Sequence, residues 1–102
     1  MRVVFAEPAA RDLDGIVETI TLVNPTAAER VFRAIVNTTH RLVDFPEMGR
    51  AGRLPGTREI TVAGLPYLVV CQVAGDVITV VAVFHEARDL VRALAERQGT
   101  RG

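Results

Sequence analysis

Residues 67–84, YLVVCQVAGDVITVVAVF, carry the strongest structural signal in this chain. Two apolar runs, Tyr67 to Val73 and Val77 to Phe84, are joined by three residues centred on Gly75, and a short connection with glycine is typical of a β-hairpin. An antiparallel sheet with one solvated face shows alternating polar residues, whereas these runs are apolar at nearly every position. We therefore predict a hairpin with both faces covered, the second by a C-terminal helix or by another chain.

Two amphipathic helices are predicted upstream of this hairpin. In the range Pro8–Val23, apolar residues recur three and four positions apart, as on one face of a helix. Asn24-Pro25 supplies an N-cap and a proline suited to the first helical position, so a second helix should begin almost without a linker. Phe45-Pro46 should end it, because the residue before a proline disfavours helical geometry. The two helices are expected to form a hairpin.

The remaining segments complete an α+β fold. Arg2 to Phe5 are predicted as a first strand, and Thr57 to Val62 alternate as an edge strand does. Pro46 to Gly56 contain two prolines and three glycines and are interpreted as an irregular loop. Apolar spacing after the hairpin predicts a short C-terminal helix. The expected domain is a two-helix hairpin packed on a largely antiparallel sheet, in the order β-α-α-β-β-β, over residues 1–97, with 98–102 as a frayed tail.

Composition narrows the functional classes. A chain of 102 residues with 49% hydrophobic residues supports one domain, and twelve basic residues balance twelve acidic ones. A net charge of zero does not suit a protein that binds nucleic acid mainly by neutralising phosphates. The basic residues are all arginine, so lysine chemistry is excluded. The single cysteine, the lack of a signal-peptide pattern and the short apolar runs predict a cytoplasmic protein without a membrane segment.

The sequence contains no common motif for metal, nucleotide or covalent chemistry, so neither a metal nor a cofactor is predicted. His85 closes the last strand beside Glu86, and strand ends are frequent places for catalytic groups. Cys71 lies in the middle of a strand and far from His85 along the chain. A structural role for Cys71 is therefore favoured over a Cys/His nucleophile pair.

Arginines cluster in two parts of the chain. Guanidinium groups bind phosphates and carboxylates through paired hydrogen bonds, so either cluster suits RNA or an acidic partner. The alternative is a solvated surface with local ion pairs to acids such as Glu59 and Asp89. The clusters are Arg50, Arg53 and Arg58 around the loop, and Arg88, Arg92, Arg97 and Arg101 along the tail.

Six segments, in their order and spacing, resemble the ParE/RelE toxin family across almost the whole chain. They are AARDL at 9–13, NPTAAERVF at 24–32, LVDFPEMGR at 42–50, GTREI at 56–60, PYLVVCQV at 66–73 and VVAVFHEARDL at 80–90. The resemblance implies a helical hairpin on an antiparallel sheet and a cognate antitoxin that wraps over the toxin in a hetero-oligomer. It also implies a target, which is messenger RNA on the ribosome for RelE-like members and DNA gyrase for ParE-like members.

The family's ribonucleolytic members resemble one another in basic groups on the middle strands and at the end of the last strand. In this chain the matching positions are Glu59, Thr61, Leu68 and Glu86, and none of them is basic. The FHEARD ending looks more like the ParE branch. The resemblance thus implies a ParE-like toxin that acts by binding, and it argues against an RNA-cleaving enzyme.

Candidate sites follow from this resemblance and from the arginine clusters. Target binding is predicted for Arg88, Arg92, Arg53 and Arg58. A ribosome-dependent ribonuclease, the alternative, would use Arg53, Arg58, His85 and Arg88. A third hypothesis is a non-toxic binding module that kept the fold and the partner groove. Antitoxin binding is predicted along the hairpin strands, at Tyr67, Val69, Cys71, Val73, Ile78, Val80, Ala82 and Phe84.

Overall fold

The structure is a computed structural model that describes residues 1–86. The predicted C-terminal helix and the tail fall in residues 87–102 and lie outside the described residues. In chain order the elements are β1 (Arg2–Phe5), α1 (Glu7–Thr21), α2 (Pro25–Asp44), β2 (Arg50–Ala51), β3 (Thr57–Thr61), β4 (Tyr67–Ala74) and β5 (Val77–His85).

The strands of residues 1–86 form one sheet in the order β1-β5-β4-β3-β2. β1 runs parallel to β5, and the other neighbouring strands are antiparallel. The predicted α+β fold, a two-helix hairpin on a largely antiparallel sheet, is confirmed. One expectation was wrong: β3 is not an edge strand, because Arg50 and Ala51 pair with it as β2. Two residues among glycines are too few to show a strand period, so the sequence indicated only a loop.

The helix boundaries follow from local backbone chemistry. α1 has Pro8 in its first turn, and the Oδ1 atom of Asn24 caps α2 by accepting a hydrogen bond from the N–H of Ala27 at 3.1 Å. α2 ends at Asp44, where the Phe-Pro pair was predicted to stop it. α1 ends at Thr21, slightly earlier than predicted, because the next two residues form the turn into the Asn24 cap. Neither helix within residues 1–86 is long and apolar enough to cross a membrane.

Both helices pack on the same face of the sheet and enclose the main core. Ile35 of α2 is fully buried there, and Leu13 of α1 is nearly so. Leu42, near the end of α2, packs in an adjoining cluster against the middle of the sheet. The main core comprises Ala9, Leu13, Val31, Ile35, Val62, Val69, Val80 and Val83.

A β-bulge in β5 decides which hairpin side chains face the helices. Val70 pairs with Ala82 whereas Cys71 pairs with Val80, so Val81 is an extra residue in its strand. Alternate residues of a strand point to opposite faces, and one extra residue reverses the alternation. Val80 therefore packs under the helices, and Ala82 packs on the opposite face.

The face of the hairpin opposite the helices is apolar and buried at the end away from the turn. Leu68, Val70, Ala82 and Phe84 form one cluster there, each at most 3% exposed. Leu54, from the loop between β2 and β3, packs against this cluster. Both faces are thus covered at this end of the hairpin, whereas Gln72, which lies on the same face nearer the turn, is exposed. The prediction of two covered faces is confirmed for only this part of the hairpin.

Candidate functional site

Arg58 fastens the loop before β3 through the loop's carbonyl groups. Its Nη2 atom donates to the carbonyl oxygens of Glu47 at 2.6 Å and Gly49 at 3.3 Å, and its Nε atom donates to that of Met48 at 3.3 Å. A guanidinium is a rigid fork of donors, so these contacts fix both the side chain and the loop backbone. The structure therefore uses Arg58, a predicted target-binding residue, to hold the loop in place.

Glu59, the next residue of β3, fastens the same loop from the opposite face of the strand. Its side chain is 0% exposed, and its Oε1 atom accepts a hydrogen bond from Arg50 Nη2 at 3.1 Å. Its Oε2 atom accepts one from the backbone N–H of Arg53 at 3.0 Å, and the Nε atom of Arg53 lies 3.7 Å from Oε1. The ion pairs expected between loop arginines and Glu59 are thus present for Arg50 and Arg53, while binding by these arginines stays a prediction.

These arginines border a pocket of about 220 Å³ at the end of β5. Arg53 and His85, which the sequence proposed for the same site, both line it, whereas Arg58 does not. Arg88 and Arg92 lie outside the described residues. The pocket wall also includes Thr61, Leu68 and Glu86, three of the four positions at which the resemblance implies basic groups in ribonucleolytic members. Its lining residues are Arg50, Arg53, Thr61, Leu68, His85 and Glu86.

Among the described residues, the charges around this pocket are close to balanced. Arg50 and Arg53 supply two positive charges, while Glu59 beside them and Glu86 in the wall supply two negative ones. The sequence offers two interpretations of Glu59, a position where the family resemblance implies a basic residue and an acid for local ion pairs, and the structure shows the ion pairs with Arg50 and Arg53. The contact depends on the pairing of β2 with β3, which joins Arg50 to Glu59 across the strands.

His85 stands between this pocket and a larger groove. Its ring meets that of Tyr67, its cross-strand partner, edge to face, with ring centroids 5.6 Å apart. The groove, about 490 Å³, runs between α1 and the end of the hairpin and is also lined by both rings. Asp12 of α1 also lines this groove. The Oδ2 atom of Asp12 accepts a hydrogen bond from the backbone N–H of Val83 at 3.0 Å.

The structure divides the predicted antitoxin-binding set between two faces of the hairpin. The residues before the bulge, such as Val69 and Val80, are buried beneath the helices, while Ala82 and Phe84 are buried on the opposite face. Val73 is 38% exposed and is the most accessible hydrophobic member. The eight residues therefore do not form one continuous surface. The sequence does not reveal this division, because Val81, the extra residue of the bulge, looks like any other apolar position. Antitoxin binding at these residues stays a prediction.

Cys71 and His85 are kept apart. Cys71 is fully buried with Ile60, Ile78 and Leu42, and this burial raises the pKa of its thiol, an effect that the nearby Arg58 partly opposes. A thiol that is protonated and inaccessible is a poor nucleophile. Within residues 1–86, no group of three His, Cys, Asp or Glu side chains is arranged to hold a metal ion.

Comparison with known proteins places these features in a family. The family model described as the ParE toxin of the type II toxin-antitoxin system, parDE, matches residues 3–90. This chain belongs to the ParE toxin family. A Sinorhizobium fredii protein named "Putative toxin Y4kP" is 36% identical to this ParE-family chain over 77 residues, which are 76% of this chain and 79% of that protein.

Solved structures agree with the assignment to the ParE toxin family. A chain of the chromosomal ParDE toxin-antitoxin system from P. aeruginosa superposes with a TM-score of 0.75 at 26% identity, covering 83% of this chain and 95% of that one. The isolated RelE toxin of E. coli has a TM-score of 0.55 at 19% identity, covering 94% and 95% of the two chains. That second likeness concerns the fold alone. The resemblance to the ParE branch, inferred from the sequence, is confirmed.

Proposed function

We propose that this ParE-family toxin stops bacterial growth by binding a target protein, such as DNA gyrase, and that a cognate antitoxin neutralises it in the cytoplasm. The observation that carries the proposal is Glu59, a buried carboxylate paired with Arg50 and Arg53 at a position where the family resemblance implies a basic group in RNA-cleaving members. Inhibition by binding needs a surface rather than a catalytic set, so it is compatible with this arrangement.

The chemistry of RNA cleavage supports this choice. Without a metal, cleavage needs one group to activate the 2′-hydroxyl, one to stabilise the phosphorane charge and one to protonate the leaving oxygen. Thr61 and Leu68 offer no such groups in the pocket wall, and the carboxylate of Glu86 would repel the phosphate. The overall charge of zero adds no attraction for RNA.

The proposed target-binding surface consists of Arg53 with Arg88 and Arg92. Arg53 is 47% exposed and sits at the pocket mouth, next to the point where the chain continues toward the two tail arginines. Arg58 supports this surface indirectly because it fixes the loop on which Arg53 stands. Replacing Arg58 would therefore weaken target binding by displacing the loop that carries Arg53.

Expression of the toxin alone in bacteria tests the proposal. We expect growth arrest together with a DNA-damage response and intact messenger RNA. Replacing Arg88 and Arg92 with alanine should restore growth, while Arg33→Ala, at an exposed arginine on α2, should leave the arrest unchanged. Arrest accompanied by cleaved messenger RNA would contradict the proposal, and unchanged arrest in the double variant would remove the tail arginines from the surface.

One observation favours a second candidate, a ribosome-dependent ribonuclease: Arg53 and His85 line the same pocket. In that case His85→Ala would abolish cleavage of messenger RNA, and His40→Ala, at an exposed histidine of α2, would not. Harmless expression of the unaltered protein would instead favour a non-toxic binding module with the ParE fold.

A further inference from the structure

Glu59 is the exception on an otherwise apolar part of the sheet. Its cross-strand partner is Val70, which in turn pairs with Ala82, and both are fully buried. A buried ion pair is seldom more stabilising than well-packed apolar side chains of similar size, because removing the charges from water is costly. Stability alone therefore does not account for a carboxylate at this place. What Glu59 adds is a fixed position for two arginine side chains.

Each guanidinium group has one end next to the carboxylate of Glu59 and the other end open to solvent. Arg50 contacts Glu59 through Nη2, and Arg53 approaches it through Nε. Each guanidinium has five N–H donors, so a single contact to Glu59 leaves most of the fork for another acceptor. The side chains are 60% and 47% exposed at the mouth of the pocket. Arg58 immobilises the loop beneath them through three carbonyl contacts.

We propose that Arg50 and Arg53, positioned by Glu59, form a receiving site for one carboxylate of an acidic side chain on the antitoxin. This inference rests on the proposed function, because it takes the antitoxin as the partner that supplies the carboxylate. Because the contacts with Glu59 restrict both side chains before the partner arrives, less conformational entropy is lost on binding than for unpaired arginines. Planar guanidinium forks match the geometry of a carboxylate.

The charges favour a single carboxylate over a nucleic acid. Glu86 stands in the pocket wall, so a chain of phosphates passing along the pocket would meet its negative charge. One carboxylate can contact the arginines without approaching Glu86 closely. A protein partner also suits the overall charge of zero, which gives no long-range attraction for a polyanion.

The site can be tested with a fluorescent hexaglutamate peptide, titrated into the purified protein at low ionic strength. A hexaglutamine peptide and an oligouridylate serve as the uncharged and nucleic-acid probes. We expect hexaglutamate to bind more tightly than either. Arg53→Gln should weaken its binding about tenfold, as expected for the loss of a charge-assisted hydrogen bond. Arg33→Gln should not, although Arg33 is also an exposed arginine bound to a glutamate.

Glu59→Gln separates positioning from charge. This change removes the negative charge of Glu59, so the site becomes more positive. If binding depended on Coulombic attraction alone, hexaglutamate would then bind more tightly. If Glu59 positions the arginines, binding weakens instead, with the circular dichroism spectrum unchanged. Equal affinity for Arg53→Gln and the unaltered protein would overturn the proposal, as would tighter binding by Glu59→Gln or a preference for oligouridylate. Peptide binding does not require toxicity, so a failed growth assay would refute only the proposed function.

Discussion

The double variant Arg50→Ala, Arg53→Ala is expected to lose about 3 kcal/mol of unfolding free energy. Removing both arginine side chains takes away the two cations that face the carboxylate of Glu59. The Glu59 side chain, which is 0% exposed, then keeps only its hydrogen bond from the backbone N–H of residue 53 among these contacts. An uncompensated buried charge is among the most destabilising changes a protein can suffer. Both arginines are about half exposed, so solvent screening places the loss toward the lower end of the range for buried pairs.

Urea unfolding measures this loss, and two variants control it. Adding Glu59→Gln to the double variant should recover most of the stability, because the neutral side chain no longer needs a cation. Arg33→Ala removes an arginine from an exposed pair with Glu29 and should change stability by only about 0.5 kcal/mol. A double variant as stable as the original protein would mean that Glu59 does not depend on its arginines.

Gly49→Ala is expected to cost a similar amount, about 3 kcal/mol, for a steric reason. Gly49 has a φ of 87°, a conformation that residues with a side chain rarely adopt. A Cβ atom built there would lie 2.5 Å from the carbonyl oxygen of Glu59 and 2.8 Å from a side-chain carbon of Ile60. Since the nearest atom belongs to the backbone of β3, the loop would have to move away from the strand.

Two other glycines separate the contributions to this loss. Gly64 has a φ of 75° and open space where a methyl group would be added, so Gly64→Ala should cost only the backbone strain, about 1 kcal/mol. Gly15 lies within α1 with nothing near its Cβ position, and Gly15→Ala should stabilise the protein by about 0.5–1 kcal/mol. Thermal unfolding of the three variants gives the comparison. An effect of Gly49→Ala no larger than that of Gly64→Ala would show that the loop yields easily.

Both predictions concern the loop that presents Arg50 and Arg53, so they link stability to binding. A shift of this loop away from β3 would separate the arginines from Glu59. The Gly49→Ala protein should therefore also bind hexaglutamate less tightly than Gly64→Ala, although neither change removes a charge.

The elements themselves could be read from local patterns. Helix α2 was predicted from Asn24-Pro25 to Phe45-Pro46 because capping and the geometry before proline act within a few residues. Strands β4 and β5 were predicted because their apolar runs are long and a glycine turn separates them. The two-residue strand β2 was missed, since only its partner strand defines it.

The candidate site was predictable in part. Arg53 and His85 were selected for their chemistry, and the structure brings them to one pocket. Arg58 was selected for the same chemistry, yet its donors are directed to loop carbonyls. The sequence cannot distinguish these arginines, because side chains of identical type differ only in which acceptors the fold places near them.

The sequence by itself determined the helical hairpin, the order of the elements along the chain, the hairpin of β4 and β5 and the ParE-like character of the protein. The structural properties depend on periodicity, capping and turn residues, which act over short distances along the chain, whereas the ParE-like character was inferred from the resemblance of six segments to a known family. Only the tertiary structure decided that Val81 reverses the alternation of β5 and that Glu59 joins Arg50 and Arg53. Both depend on the register between strands, which is set by packing across the whole sheet rather than by any single segment.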